Sequence, residues 1–309
     1  MSAIRTQGLR KVFGSVVGLH GLDLEVRPQT VFGFLGPNGA GKTTTLRLLA
    51  GLSRPTAGRA WIAGVPVGPE SPARGQVGYL PEEPRFYPWM SAGEFLAVYV
   101  GGLFRMDARQ ARQRAGELLE RVGLQDVARR RIGGFSRGMR QRLGMAQALF
   151  NGPPVLLLDE PVSALDPGGR RDMLELIGEL KEERTIFMST HILEDVERIC
   201  DTIGVLNHGK LVTVEAREAL LSRYAVPGVE VEFQADARSV AAWAESARRE
   251  PGVQAVEVEG SAARLRLDGG PQTGARVQAS VLGSGMAVER FQVARPTLED
   301  VFLHLVESS

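Results

Sequence analysis

Cysteine is nearly absent: Cys200 is the only one in 309 residues. A single cysteine excludes an intrachain disulfide, and a reducing compartment is the expectation. Long apolar runs are missing too. A membrane-crossing helix needs roughly 18 consecutive apolar residues; the nearest approach, Phe95 to Phe104, is too short and is bounded by Glu94. The start, Met1-Ser2-Ala3-Ile4-Arg5, opens into strand-like sequence with no apolar signal core, so the chain is not expected to span a membrane by itself. A membrane partner stays open. Aromatics are sparse, and the arginine-rich stretch Arg105–Arg142 has only Phe135, with no interleaved series of rings for base stacking, so a solvated helical face is favoured there over a nucleic-acid surface. The net charge of +1 likewise gives no reason to expect nucleic acid. Lysine is scarce as well, present only at positions 11, 42, 181 and 210.

Against that scarcity, Lys42 stands in Gly36-Pro37-Asn38-Gly39-Ala40-Gly41-Lys42-Thr43-Thr44, which fits G-x-x-x-x-G-K-[ST]. Val31–Leu35 ahead of it is short and apolar like a buried parallel strand, and Thr45–Ala50 behind it has the spacing of a helix packed on one face. Strand, glycine loop and helix together are the context a phosphate-binding loop requires. Glycines let successive N–H groups converge on phosphate oxygens, and the helix N-terminus adds partial positive charge. A purely structural turn is the bland alternative, and with 37 glycines loose matches arise by chance. The compact ammonium at the one position that needs it decides for a nucleotide site. Lys42 is then expected to reach the β- and γ-phosphates and the Thr43 hydroxyl to ligate Mg²⁺.

In chain order, Ile4–Val12 and Leu22–Val26 alternate as half-exposed strands with Gly14 and Gly18 at turns. Phe13 reads equally as core or as a nucleobase-stacking ring. Ser91 to about Phe150 is helical in character. Val155-Leu156-Leu157-Leu158-Asp159-Glu160 is an apolar strand ending in two carboxylates, Arg170–Lys181 a helix, Thr185–Thr190 another buried strand ending on His191, and Ile192–Cys200 the following helix. Asp159 is expected to hold Mg²⁺ through water, and Glu160 to polarise an attacking water. Ile203–Leu206 and Lys210–Val214 form a hairpin around Asn207-His208-Gly209. Alternating strands and helices with such a loop predict an α/β fold with a mostly parallel sheet. Tyr224–Gly228 reads as a linker. Beyond it, strand, helix, strand, strand, helix, strand and a closing helix over 297–306 suggest a small α+β ferredoxin-like domain. The expected division is residues 1–224, with a helical subdomain at about 91–150, and residues 225–309.

In this order the motifs resemble the ATP-binding subunit of an ABC transporter, over residues 4–220. The resemblance implies a P-loop NTPase fold of the ABC type, with an antiparallel β subdomain beside the parallel sheet. It makes Gly36–Thr44 the Walker A loop, Val155–Glu160 the Walker B strand, Ser163–Asp166 the D-loop with Asp166 at the nucleotide interface, His191 the switch histidine and Phe13 the adenine-stacking ring. Phe135-Ser136-Arg137-Gly138-Met139 stands where the family has Leu-Ser-Gly-Gly-Gln, so only Ser136 and Gly138 keep their usual types. Glu82 stands where glutamine is usual; its carboxylate can ligate Mg²⁺ and accept from water. Pro296–Phe302 looks like the ends of bacterial ABC-2 type exporter ATPases, drug and antibiotic exporters included.

The same resemblance implies an ATP- and Mg²⁺-dependent ATPase, peripheral on the cytoplasmic face of the membrane. It would power a separate transmembrane permease that exports a drug-like, lipid-like or polysaccharide substrate, and pair with a second ATPase subunit, most simply its own copy. The alternatives are a soluble ABC-type ATPase acting on ribosomes or DNA, disfavoured by the single Walker A and the lack of a heptad array, and a small-molecule P-loop kinase, disfavoured by Ser136–Gly138 and the D-loop. Pro84-Arg85-Phe86-Tyr87-Pro88-Trp89-Met90 is either core beneath the helical subdomain or an anchor surface for the permease.

Overall fold

The computed structural model describes residues 2–68, 70–223, 228–268, 270, 272–294, 298, 301 and 302. By contacts these form two compact units that divide at Arg217/Glu218, a few residues ahead of the expected boundary at 224/225.

The first unit opens with β1 (Ile4–Phe13) and β2 (Val16–Val26), an antiparallel pair turned at Gly14. Gly18, expected at a turn, lies within β2, which begins earlier than its alternating segment suggests. The reason is Phe13: its ring lies where a Cβ on Gly18 would be, 3.1 Å from Cε2, so the glycine serves packing across the hairpin. β3 (Val31–Leu35) leads through the glycine loop into α1 (Lys42–Leu49). β4 (Ala57–Ile62) and β5 (Val65–Pro66) complete an antiparallel sheet of order β2-β1-β4-β5. After β6 (Val77–Leu80), α2 (Ala92–Glu94) passes through a π-helical stretch, Phe95–Val100, into α3 (Gly101–Leu103). α4 (Ala108–Arg121) and α5 (Arg137–Leu149) follow. β7 (Val155–Asp159), α6 (Pro167–Leu180), β8 (Thr185–Thr190), α7 (Leu193–Ile199), β9 (Thr202–Asn207) and β10 (Lys210–Ala216) complete the unit.

The second sheet has the order β10-β9-β3-β8-β7-β6, parallel throughout except for β10 at the edge. Every residue of β3, β7 and β8 is buried. Strands covered on both faces cannot alternate, which is why these three read as unbroken apolar runs. Phe32 and Phe187 stack at 5.0 Å between centroids and Phe34 closes on Phe187 at 5.1 Å. Each fully buried ring stabilises by about 1.5–3 kcal/mol relative to exposure. The same core takes in Leu46 and Leu49 of α1 and Ile4, Leu22 and Ile62 of the antiparallel sheet. Helix α1 is therefore fixed from both sheets, and the loop before it with it.

α8 (Arg217–Arg223) groups mainly with the second unit. That unit continues with β11 (Gly228–Phe233), α9 (Ala237–Ala247), β12 (Val253–Glu259), β13 (Ala262–Leu267), α10 (Thr273–Gly283) and β14 (Val288–Ala294). Its antiparallel sheet, β12-β13-β11-β14, has the ferredoxin-like order, with Phe233, Trp243, Leu265 and Val277 in its own core. The expected linker lies outside the described residues apart from Gly228, as does most of the closing helix; Leu298 and Val301 are described and buried.

Candidate functional site

Strand order assembles the site. β3, β8 and β7 are neighbours running the same way, with Leu35 opposite Thr190 and Asp159 opposite Ser189. The next residues along the chain, Gly36, His191 and Glu160, therefore leave the sheet at one edge, the C-terminal edge where α/β sheets gather ligands. A cleft of about 450 Å³ opens there, lined by the loop from Pro37 to Thr44 together with Gly18, Glu82, Glu160 and His191.

The loop is braced from behind. A Cβ on Gly36 would stand 2.3 Å from the Leu206 carbonyl oxygen, and one on Gly41, whose φ is +107°, 2.6 Å from that of Gly18. Neither position admits a side chain. The β9–β10 turn closes the brace: Gly209 N–H donates to the Ala40 carbonyl at 2.9 Å, and His20 N–H donates to the Gly209 carbonyl at 2.9 Å.

Lys42 starts α1 with its side chain only 7% exposed. Its ammonium donates to the carbonyls of Gly36 at 2.6 Å and Pro37 at 3.3 Å and lies 3.7 Å from Glu160 Oε1. Burial lowers its pKa, against the opposing pull of Glu160, Asp159 and Glu82. The ammonium is thus anchored at the mouth of the loop, where charge on a phosphate would lie.

Asp159 is buried at the end of β7. Its Oδ1 accepts from Ser189 Oγ at 2.6 Å and Thr43 Oγ1 at 3.1 Å; Oδ2 is buried with no hydrogen-bond partner among the described residues. An orphaned carboxylate oxygen beside a threonine hydroxyl fits a hard cation, and Mg²⁺ characteristically takes one or two carboxylates with phosphate oxygens rather than a closed protein cage. No group of three or more His, Cys, Asp or Glu side chains among the described residues is arranged to hold a metal ion by itself. Thr43, Asp159 and, from the cleft wall, Glu82 are the donors that suit the ion.

Glu160 adopts a left-handed backbone, φ +48°, held by its N–H to the Ser189 carbonyl at 3.1 Å and to Ser189 Oγ at 3.2 Å. A non-glycine residue in that region costs about 1–3 kcal/mol and persists where its surroundings fix it. The turn aims the carboxylate back over the loop. His191 Nδ1 lies 3.0 Å from both carboxylate oxygens, placed to donate to them. Sequence reasoning passed over Ser189, which touches both Asp159 and Glu160; its signal was the pairing of two adjacent apolar strand ends.

Phe13 is 52% exposed at the end of β1, with the Lys11 ammonium 5.1 Å from its ring centre, and packs on Gly18 at the cleft wall. Ser136, Gly138 and Asp166 do not line the cleft. Ser136 caps α5, accepting from Met139 N–H at 3.1 Å, and its hydroxyl proton is left to donate elsewhere. Gly138 packs on Leu165 of the D-loop, and Asp166 holds the N-cap position of α6 without a side-chain cap bond. The segment after Glu82 is divided: Phe86 packs edge-on against buried Phe95 at 5.0 Å, whereas Tyr87 and Trp89 are 38% and 64% exposed. Tyr87 also contacts Tyr99, ring to ring at 5.0 Å. A larger cleft, about 600 Å³, lies on the C-terminal sheet, where both lining arginines are paired, Arg264 with Glu230 at 3.5 Å and Arg290 with Glu232 at 3.9 Å. The buried ammonium and the Glu160–His191 contact lie at the smaller cleft.

The chain matches the ABC transporter family over residues 19–163 and the "ATP-binding protein DrrA1-3-like, C-terminal domain" family over residues 217–306. It is 31% identical to the linearmycin resistance ATP-binding protein LnrL of Bacillus subtilis (strain 168), covering 98% of this chain and 97% of that protein. It is 35% identical to the daunorubicin resistance ATP-binding protein DrrA3 of Streptomyces coeruleorubidus, covering 98% and 96%. Among solved structures, an ATP-binding subunit of an ABC transporter superposes with a TM-score of 0.66 at 28% identity, covering 72% of this chain and 93% of that one. A dimeric ATP-binding cassette holding ADP and phosphate superposes at 0.64 and 24% identity, a likeness of fold. With the loop, the paired carboxylates and the histidine at one sheet edge and relatives matched over nearly their whole length, the chain belongs to the ATP-binding subunits of ABC transporters, the ATPases of that family.

Proposed function

We propose that this ATPase powers a separate transmembrane permease exporting a drug-like, lipid-like or polysaccharide substrate, working peripherally at the cytoplasmic face of the membrane. The observation that carries the hydrolytic part is Glu160, a carboxylate 3.7 Å from the Lys42 ammonium and 3.0 Å from His191 Nδ1 at the mouth of the loop. In this reading the backbone N–H groups of Gly39 to Thr44 and the Lys42 ammonium bind the phosphates, Phe13 stacks on the adenine, and Glu160 takes a proton from the attacking water while His191 holds that carboxylate in place. Thr43, Asp159 and Glu82 would hold Mg²⁺, which when bound would offset negative charge on the phosphate oxygens. Ser136, Gly138 and Asp166, placed away from the cleft, serve the nucleotide of a second ATPase subunit, a second copy being the simplest arrangement.

Export is supported by relatives named for linearmycin and daunorubicin resistance, bacitracin transport and Nod factor export. The permease is supported by the exposed Tyr87 and Trp89. Their rings lie 5.1 Å apart, and the backbone between them is pinned by Gly133 N–H to the Pro88 carbonyl at 2.9 Å. Exposed aromatics on a fixed backbone make an anchor for an apolar partner helix. Tyr87→Ala and Trp89→Ala, made singly, are expected to lose association with the permease while ATPase rate and melting temperature hold. Unfolding of both variants, or undiminished copurification, would contradict the docking role.

A further inference from the structure

His191 is poorly held by its own packing. Its side chain is 50% exposed, and its contact with Glu160 depends on where the segment leading into α7 is pinned. Of the seven residues of α7 only two are buried, Asp195 and Val196. Val196 meets β3 at Gly33. Asp195, in the first turn of α7 and four residues beyond His191, is a carboxylate at 1% exposure. Its Oδ1 accepts from Arg170 Nε at 2.7 Å, and its Oδ2 is buried without a hydrogen-bond partner among the described residues. A buried charge with a single partner is a costly way to staple two helices, since an apolar pair of similar volume is commonly as stable or more so.

Arg170 lies in the first turn of α6, where its N–H donates to the Asp166 carbonyl at 2.8 Å. α6 is itself tied to α5 by Arg142, which meets Asp172 Oδ2 at 3.0 Å and donates to the Val122 carbonyl at 3.2 Å. Between α6 and α7 lies a cleft of about 330 Å³ bordered by Leu165, Arg170, Glu194 and Asp195. Side-chain packing is interrupted there and ion pairs bridge the gap: Arg170 also meets Glu194 at 3.4 Å, and Arg198 of α7 meets Glu175 of α6 at 3.1 Å. Those partners are solvent-exposed, and only the Arg170–Asp195 pair has a buried member to set the angle of α7. We propose that Arg170 and Asp195 are positioning residues for hydrolysis: their ion pair fixes the first turn of α7 against α6 and thereby holds His191 on the Glu160 carboxylate.

The proposal rests on reading Glu160 and His191 as the hydrolytic pair. The full chain, labelled with ¹⁵N-histidine, carries four histidines, and His191→Gln identifies the His191 ring signals. Three variants are compared with wild type: Asp195→Asn, Arg170→Lys, and the double variant Arg170→Met/Asp195→Leu, which removes both charges and leaves none buried. Asp195→Asn and the double variant are expected to bind MgATP within about twofold of wild type while kcat falls roughly 10–100-fold, the cost of a misplaced group. In the same two variants the His191 ring signals shift, and Arg170→Lys, keeping the charge, recovers most of both. A folded double variant with wild-type kcat and unmoved His191 signals overturns the proposal. So does a loss of kcat matched by an equal loss of MgATP affinity or of folded protein. If wild type does not hydrolyse ATP, the reading of the hydrolytic pair fails, and the His191 signals still decide whether the clamp positions that ring.

Discussion

Lys42 is the buried cation of the phosphate loop. Its buried ammonium faces Glu160 and Asp159, and removing it takes away the lysine charge that opposes those two carboxylates at the loop. Lys42→Ala is expected to weaken MgATP binding by about 2–5 kcal/mol, as truncating one partner of a buried charge pair does, and to abolish hydrolysis. Calorimetric titration with MgATP checks this; wild-type affinity and turnover would remove the phosphate-binding assignment. Glu82 is a finer test, because it stands in the cleft wall where the family carries glutamine. Its need is for an oxygen beside the ion and the attacking water. Glu82→Gln is therefore expected to keep most of the ATPase rate and Glu82→Ala to lose it, and an inactive Glu82→Gln would show that the negative charge itself is required.

Among elements, α4 shows how the helical region is set. Asp107 caps it, its carboxylate accepting from Arg109 N–H at 2.8 Å and Gln110 N–H at 3.3 Å, and those bonds hold its pKa below the ordinary aspartate value. A folded-state pKa below the unfolded one adds stability above the unfolded value, and that stability is lost as pH falls through the folded pKa. The difference in melting temperature between wild type and Asp107→Asn should thus shrink as pH falls below about 4; a constant difference would contradict the cap. The strands that build the site were legible because burial on both faces leaves β3, β7 and β8 apolar from end to end. Gly18 was not, since its reason for being glycine is a ring five residues away across a hairpin. The π-helical stretch Phe95–Val100 has no pattern distinct from an apolar α-helix. Arg170 and Asp195 lie on different helices, and nothing local marks either as a partner of the other. Motifs confined to one loop could be read from sequence; pairings between elements could not.

Across the whole molecule, one chain holds a phosphate loop with its carboxylates in one place and Ser136, Gly138 and Asp166 in another, and in the proposed reading two chains would bring them together on one nucleotide. Hydrolysis would then require ATP-bound pairs, and a variant that binds but does not hydrolyse should accumulate them. Glu160→Gln keeps the shape of the side chain and removes its basicity, so turnover should fall by roughly 10²–10⁴-fold, the worth of a positioned base. The most direct measurement is light scattering on Glu160→Gln with and without MgATP, alongside the wild-type ATPase rate. A mass of two chains is expected in MgATP and of one without it; a strict monomer in MgATP, with wild type hydrolysing at full rate as a monomer, would contradict the shared site.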